Sequence, residues 1–488
     1  MANDTTPPPR SPRASTSLTS GAGILLARRY LVAVMGWAGT LIVIRQLPAD
    51  AWGGYSFIFG LAGILGIVSD LHIGRIVLVE VMEDPDEAGA TITNYMVLRT
   101  LLGVLSAAIA LAVVVAGDYP PSVVLGMAAA GVSLVIASAA NSLALLFQAR
   151  LWLRDVAVGS VLGQLAQLIA TVALVLSGPV GLVWFAAAAA LFPAGELAWY
   201  SRRAGPLLRW RVDARAWGPW LREAAPLAVG AAAASLYMKI DMVMLGSLDS
   251  LNSVGIYSVG YKFSDLLGSI GAAVAVPALT MLVDAWPGDP VRFRGASTHA
   301  FVLLLVAAVG STIVFTGFAR DLISLLYGSR YEVATGASRA LVAAQALNFF
   351  TQLCFVILVA VGRNRRYAAA MIGGVAVNIG LNYALIPHWS YFGSAMATVV
   401  TEVVVLAALG SAVLAVPGIR PLPWRSTART VAAGAATVIV VLASDDVAWW
   451  PLAILASGAT YVGALHLFRV GGPRGLRDLV KNQEVVLS

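Results

Sequence analysis

The sequence predicts an all-α polytopic membrane protein with about fourteen transmembrane helices, built as two six-helix lobes plus two C-terminal helices. Three observations carry this expectation. Of 488 residues, 59% are hydrophobic and only 12% are Asp, Glu, Lys or Arg, about half the charged share of an ordinary soluble protein. The apolar residues gather in runs of spanning length, about 20 residues for a hydrocarbon core near 30 Å. The basic residues alternate from loop to loop as the positive-inside rule requires. The same composition excludes a disordered chain, and a lone cysteine, Cys354, excludes a disulfide scaffold.

The runs lie at 24–44, 53–72, 94–116, 122–146, 156–177, 180–200, 224–246, 254–283, 299–318, 339–361, 367–387, 392–415, 428–443 and 449–468. With both termini cytoplasmic, the inner segments collect most of the 32 basic residues, among them Arg28, Arg29, Arg75, Arg150, Arg154, Arg292, Arg294, Arg363, Arg365 and Arg366. The loop at 201–222 adds Arg202, Arg203, Arg209, Arg211, Arg215 and Arg222, whereas the outer loops keep Arg45, Arg320 and Arg330. The net charge of +7 and pI of 9.6 thus report topology, and a nucleic-acid partner is not expected. The expected location is the inner (cytoplasmic) cell membrane, multi-pass. Residues 1–21, MANDTTPPPRSPRASTSLTSG, lack an apolar core and read as a disordered cytoplasmic tail instead of a cleaved signal peptide.

Two segments repeat. Gly53, Gly54, Tyr55, Ser56 returns 202 residues later as Gly255, Ile256, Tyr257, Ser258. Arg154 to Ala157 lies 211 residues before Arg365 to Ala368, and the same offset relates Gly163 to Gly374, Gln167 to Asn378 and Thr171 to Asn382. A repeat of six spans enters the membrane each time with one orientation, which puts the pseudo-twofold axis along the membrane normal and the substrate between the halves. The expected organisation is an N-terminal lobe at 22–200, a basic linker at 201–222, a C-terminal lobe at 223–415, two further helices at 416–468 and a cytoplasmic tail at 469–488.

Polar residues inside the spans are the candidate functional groups. The chain has three lysines, and two of them, Lys239 in YMKID and Lys262 in GYKFSD, fall within spans. They sit roughly 10 and 12 Å from the outer ends of their helices at 1.5 Å per residue. A central charge costs about 2.5–3.5 kcal/mol on insertion scales, so each needs a partner, water or a snorkelling route. Lys262 and Asp265 are three apart and can pair on one face, whereas Lys239 and Asp241 are two apart and point to different sides. The lysines either snorkel to the interface or line a cationic cavity. Gln345, Asn348 and Gln352, then Gln164, Gln167 and Thr171, then Asn378 and Asn382, keep helical spacing and share a face in each set, for interhelical hydrogen bonds or a polar cavity wall. Glu402, about ten residues into its span, is a candidate for ion coupling or the buried partner of a base. Glu196 reads as interfacial. Arg28, Arg29 and Arg75 at inner span ends are anchors or sites of phosphate capture.

Catalytic signatures are missing. GIYSVGYK (Gly255 to Lys262) lacks the adjacent GK[ST] of a phosphate-binding loop, no HExxH occurs, and the four histidines are scattered. No metal, cofactor or enzyme activity is expected.

The phrases LPADAWGGYSFIFGLAGILGIVSDLHIG, YMKIDMVMLGSLDSLNSVGIYSVGYKF, LISLLYGSRYEVA and NIGLNYALIPHWSYFGSAMAT, over about residues 20 to 415, resemble polysaccharide repeat-unit flippases of the multidrug/oligosaccharidyl-lipid/polysaccharide superfamily. The resemblance implies alternating access of two six-helix lobes without ATP hydrolysis, moving an undecaprenyl-pyrophosphate-linked oligosaccharide from the inner to the outer leaflet for cell-surface polysaccharide synthesis. It carries Lys239 and Asp241, and with them Lys262, into a cavity for the pyrophosphate and sugars, and it implies lipid-linked glycan, membrane lipids and glycosyltransferase or polymerase partners. The family's Asp-Leu-Gly after the second span is interrupted here, with Asp70, Leu71 and His72 before Gly74. Two alternatives stay open: an ion-coupled multidrug exporter of the same superfamily, and an integral membrane glycan polymerase or ligase.

Overall fold

The computed structural model describes residues 12–416, 423–444 and 449–470, so most of the expected C-terminal tail lies outside the described residues. Among the described residues the chain is helical, without strands. It divides into two compact units between Ser235 and Leu236.

The first unit contains α1 (Pro12–Gln46), α2 (Ala49–Asp70), α3 (Ile73–Glu83), α4 (Ala88–Ala116), α5 (Pro121–Ala149), α6 (Leu153–Leu176), α7 (Leu182–Ala189) and α8 (Leu191–Ala204). α1 begins at Pro12, inside the stretch read from sequence as a tail. Two crossings are each built from two helices. Between α2 and α3, Leu71 and His72 are both left-handed, with φ of 44° and 58°, a conformation that non-glycine residues rarely adopt. Between α7 and α8 the ladder breaks at Ala190, three residues before Pro193, which has no N–H to give. The core of this unit is Ile73, Val77, Tyr95, Phe147, Tyr200 and Trp220.

The basic loop is docked on the start of α4. Asn94 donates to the carbonyl of Asp213 at 3.0 Å and accepts from the Asp213 backbone N–H at 3.1 Å and from the Trp217 indole at 2.8 Å. Thr93 donates to the Arg209 carbonyl at 2.6 Å. One buried amide therefore satisfies a segment that has little regular structure of its own.

The boundary between units falls within α9 (Trp217–Leu248). The second unit continues with α10 (Leu251–Ala285), α11 (Pro290–Tyr327), α12 (Thr335–Ala360), α13 (Asn364–Leu414), α14 (Trp424–Ala443) and α15 (Trp450–Leu467). Side-chain caps start two of these: Ser250 accepts from the Ser253 N–H, and Asp289 accepts from the N–H groups of Val291 and Arg292. α13 has 51 residues, too long for one crossing, and it breaks at Ser390 (φ 53°, ψ −138°) just past Pro387. Thirteen helices are long and apolar enough to span a membrane. Counting α13 twice gives fourteen crossings among the described residues.

α14 and α15 pack against α11. Tyr461 lies over Gly310 and donates to the Val306 carbonyl at 2.8 Å.

The repeated positions behave alike in the two units. Thr171 donates to the Gln167 carbonyl at 2.9 Å, and Asn382 donates to the Asn378 carbonyl at 3.0 Å. Gly163 and Gly374 are both buried at close approaches, Gly163 against the Phe192 backbone and Gly374 against Val405 and Tyr237. A Cβ on Gly163 would collide with the Phe192 carbonyl, whereas one on Gly373 meets nothing within 4 Å. Gly163→Leu should therefore cost about 1–3 kcal/mol by overpacking and lower the melting temperature of the purified protein by several degrees, while Gly373→Leu leaves it unchanged. Equal melting of the two variants would contradict this packing.

Candidate functional site

The site grows from two carboxylates buried in the second unit, Asp241 on α9 and Glu402 on α13, each 3% exposed. A buried polar group needs hydrogen-bond partners, and each acid has a full set. Asp241 accepts from the Tyr257 hydroxyl at 2.8 Å and the Thr398 hydroxyl at 3.1 Å on Oδ2, and from the Asn382 amide at 3.0 Å on Oδ1. Asn382 is in turn bonded to Asn378 Oδ1 at 3.0 Å. Glu402 accepts from Tyr237 at 2.6 Å and Asn348 at 3.0 Å on Oε1, and from Thr351 at 3.2 Å on Oε2.

The two cages interlock through helical spacing. Tyr237 and Asp241 are one turn apart on α9, yet Tyr237 serves Glu402. Thr398 and Glu402 are one turn apart on α13, yet Thr398 serves Asp241. Positions four apart on a helix share a face, so the α9–α13 seam is fastened twice in opposite directions.

The α12 stripe completes the arrangement. Asn348 accepts from Gln345 at 3.3 Å and Gln352 at 2.8 Å on Oδ1 while its amide holds Glu402. Ser264 of α10 donates to Gln345 at 3.2 Å. Between these groups lies a small cavity of about 50 Å³ lined by Tyr237, Asp241, Tyr261, Asn348, Thr398 and Glu402. That exceeds the ~10–15 Å³ one water needs and is far below the ~300–1,000 Å³ of a site for a drug-sized molecule.

The lysines are placed differently. Lys239 is half-buried, and its Nζ lies 4.7 Å from the Tyr261 ring centroid. Such a contact is worth about 0.5–2 kcal/mol, part of the insertion cost of the charge. Lys262 is half-buried and Asp265 exposed. The ion pair of Lys262 with Asp265 that their spacing allows is not closed, whereas Arg292 pairs with Asp284 and Arg320 with Glu332. Spacing of three on a helix permits contact without requiring it, and Asp265 interacts electrostatically with both Lys262 and Lys239 without closing an ion pair to either. α9 and α10 run past the apolar segments read from sequence, so Lys239 and Lys262 stand nine and eleven residues from the ends at Leu248 and Leu251. That is roughly 14 and 16 Å at 1.5 Å per residue, near mid-bilayer depth.

Arg28, Arg29 and Arg75 belong to the first unit. Arg28 is half-buried on α1, Arg29 and Arg75 are exposed, and none of the three is in an ion pair among the described residues. Glu196, read from sequence as interfacial, is 7% exposed and accepts the Ser160 hydroxyl at 2.6 Å. It is buried because α6 and α8 close together at Gly163 and Gly195. Asp70, which the interrupted Asp-Leu-Gly pattern left without an expected role, bridges Arg99 at 3.1 Å and accepts from Tyr95 at 3.1 Å, right at the break between α2 and α3. Sequence reasoning missed Tyr237, Tyr257, Thr351 and Thr398. For Tyr237 and Thr398 the signal was present as a hydroxyl one turn before each acid.

Fourteen candidate crossings in two units, with caged acids and intramembrane lysines, define a polytopic membrane protein. Comparison with known proteins places it further. The family model described as polysaccharide biosynthesis protein matches residues 18–283, more than half of the chain, and the chain belongs to that family. The MatE family model matches residues 226–384. The probable flippase AglR of Haloferax volcanii is 28% identical over 217 residues, 42% of this chain and 44% of that protein, so the chain matches less than half the length of this curated relative. The fold is that of the MOP superfamily. A structure of the lipid II flippase MurJ in an inward closed conformation aligns with TM-score 0.75 at 13% identity, covering 93% of this chain and 99% of MurJ. An inward-facing multidrug resistance MATE family transporter aligns with TM-score 0.64 at 14% identity, covering 77% and 93%.

The cage makes a graded prediction. Glu402→Gln keeps one acceptor oxygen for Tyr237 and Asn348, and its NH2 can donate to the Thr351 hydroxyl in place of accepting from it, so it should shift the melting temperature little. Glu402→Leu strands all three donors, at about 1–3 kcal/mol for each group left unsatisfied, and should melt well below the amide variant. Matching thermal melts for the two would show that the bonds to Glu402 are not stabilising.

Proposed function

We propose that the protein is a flippase that carries an undecaprenyl-pyrophosphate-linked oligosaccharide from the inner to the outer leaflet by alternating access, for cell-surface polysaccharide synthesis. The single observation that carries this reading is the contrast between the two kinds of intramembrane charge. Asp241 and Glu402 are held by donors from their own unit, while Lys239 and Lys262 close no ion pair among the described residues and both interact with the one nearby carboxylate of Asp265. An anionic headgroup crossing the bilayer needs its charge neutralised in transit, and two ammonium groups at similar depth supply that. The orientation with both termini cytoplasmic rests on the arginine-rich loops. Arg28, Arg29 and Arg75 then stand at the leaflet where the diphosphate is first captured. AglR, by its name a probable flippase, supports the class.

The caged acids fit ion coupling. The Asp241 cage leaves one acceptor over, Asn382 Oδ1, which is buried without a donor. Such a surplus favours a proton or a monovalent cation, and Glu402 shares the adjoining cavity, whose size suits water or an ion. A multidrug exporter needs acids presented to a cationic cargo, and acids facing their own hydroxyl and amide donors serve that role poorly. A glycan polymerase would need acidic residues over a sizeable outer loop, and the outer acids read from this sequence sit on small loops.

The test is transport of a labelled lipid-linked oligosaccharide in proteoliposomes. Lys239→Gln combined with Lys262→Gln should reduce flipping to the protein-free background at unchanged protein level and melting temperature. Full transport by this double variant would overturn the assignment, and so would resistance to lipophilic cations on expression of the wild type without glycan transport.

A further inference from the structure

The second unit holds another, larger hollow that the transport reading does not use. It is a cavity of about 490 Å³ walled by α11, α12 and the second half of α13, with Pro423 at one end. Phe301, Phe350, Leu353 and Leu406 give it an apolar wall, and Arg294 is its charged lining residue. The lining runs from Arg294 to Leu305 on α11 and from Leu347 to Ile357 on α12. At 1.5 Å per residue each stretch is roughly 15 Å long, half of a hydrocarbon core of about 30 Å. The hollow is therefore as deep as one leaflet.

Its charged end is distinctive. Arg292, two residues before, is neutralised by Asp284 at 2.7 Å. Arg294 has no ion pair among the described residues, and its Nε is buried without a hydrogen-bond partner. Arg294 lies in the first turns of α11, at the end of the helix that carries the basic loops, where headgroups meet the protein. An unpaired guanidinium at the mouth of an apolar slot is complementary to a phosphate on an acyl chain, since the planar fork takes two phosphate oxygens at once. The wall contributed by α13 leaves room: a Cβ on Gly410 meets nothing within 4 Å.

We propose that this cavity binds one acyl chain of an anionic phospholipid, with its phosphate on Arg294. A long polyprenyl tail would overrun a slot of single-leaflet depth, and a zwitterionic lipid would offer Arg294 a headgroup already neutralised by its own amine. The bound lipid would tie α11, against which α14 and α15 pack, to the leaflet at the basic end of the chain. The site is separate from the caged acids and the lysines, so it stands independently of what the protein transports.

The test uses the full-length protein, delipidated in neutral detergent and titrated with phosphatidylglycerol or phosphatidylcholine, with retained lipid counted by native mass spectrometry. The wild type should retain one phosphatidylglycerol about fivefold more readily than phosphatidylcholine, the contribution of one arginine to an anionic headgroup. Arg294→Gln should erase that preference, and Arg294→Lys should restore most of it. Gly410→Leu, which fills the slot from an open position on a helix that leucine favours, should remove retention of both lipids without lowering the melting temperature. Equal retention of the two lipids by the wild type would overturn the proposal, as would undiminished phosphatidylglycerol binding by Gly410→Leu. Displacement of phosphatidylglycerol by an equimolar polyprenyl phosphate would also overturn it, by making the occupant a carrier lipid.

Discussion

The second unit depends on one constraint: two carboxylic side chains buried in a membrane protein have to be satisfied from within. An unpaired charge in that setting costs several kcal/mol, so Asp241 and Glu402 dictate where α9, α10, α12 and α13 can sit. Each acid takes donors from its neighbours, and the one-turn spacings of Tyr237 with Asp241 and Thr398 with Glu402 make each helix a donor to the other's acid. Sliding α13 along α9 by a turn would break both cages together. Side-chain hydrogen bonds in membranes average only about 0.6 kcal/mol each, so strength of single bonds is not the point. A network in which both acids are partnered specifies one register, and the loss of one acid leaves several donors unpaired.

This gives the two signs of charge different work. The acids are enclosed, with room beside them for water or an ion and none for a large cargo. The lysines are half-buried and held by softer means, Lys239 by the face of Tyr261. A cation–π contact can be left and regained at little cost, which suits the proposed role of a group that takes hold of an anion and lets it go. Tyr261 also links the two sets, since its hydroxyl donates to the Met238 carbonyl at 2.8 Å beside Lys239 and its ring borders the cavity of the acids.

The architecture was legible in the sequence because membrane spans are set by composition over long windows. Fourteen apolar runs became fourteen crossings, including the short run at 428–443, which α14 extends to Trp424. The breaks were harder. Ser390 follows Pro387, a visible signal, whereas the paired left-handed residues Leu71 and His72 carry none in their residue types. Their geometry sits beside a tertiary bond, Asp70 to Arg99 and Tyr95, that joins residues far apart in sequence. Helical spacing correctly separated Lys239 from Asp241 and placed Asn378 with Asn382, but it could not name Tyr261 or Thr398 as partners. It put Lys262 and Asp265 on one face, where they interact without closing an ion pair. Glu196 was misread because nearness to a helix end was taken as exposure, while the small residues of α6 and α8 close that end.

The central claim is that the caged acids couple an ion to transport on the lysines. It is tested most directly by the initial rate of lipid-linked oligosaccharide flipping in proteoliposomes under an imposed proton or sodium gradient, in the wild type and in Asp241→Asn with Glu402→Gln. The account predicts a rate that rises with one of the two gradients in the wild type and is indifferent to both in the double variant. A wild-type rate independent of either gradient, or a double variant that still responds, would contradict it.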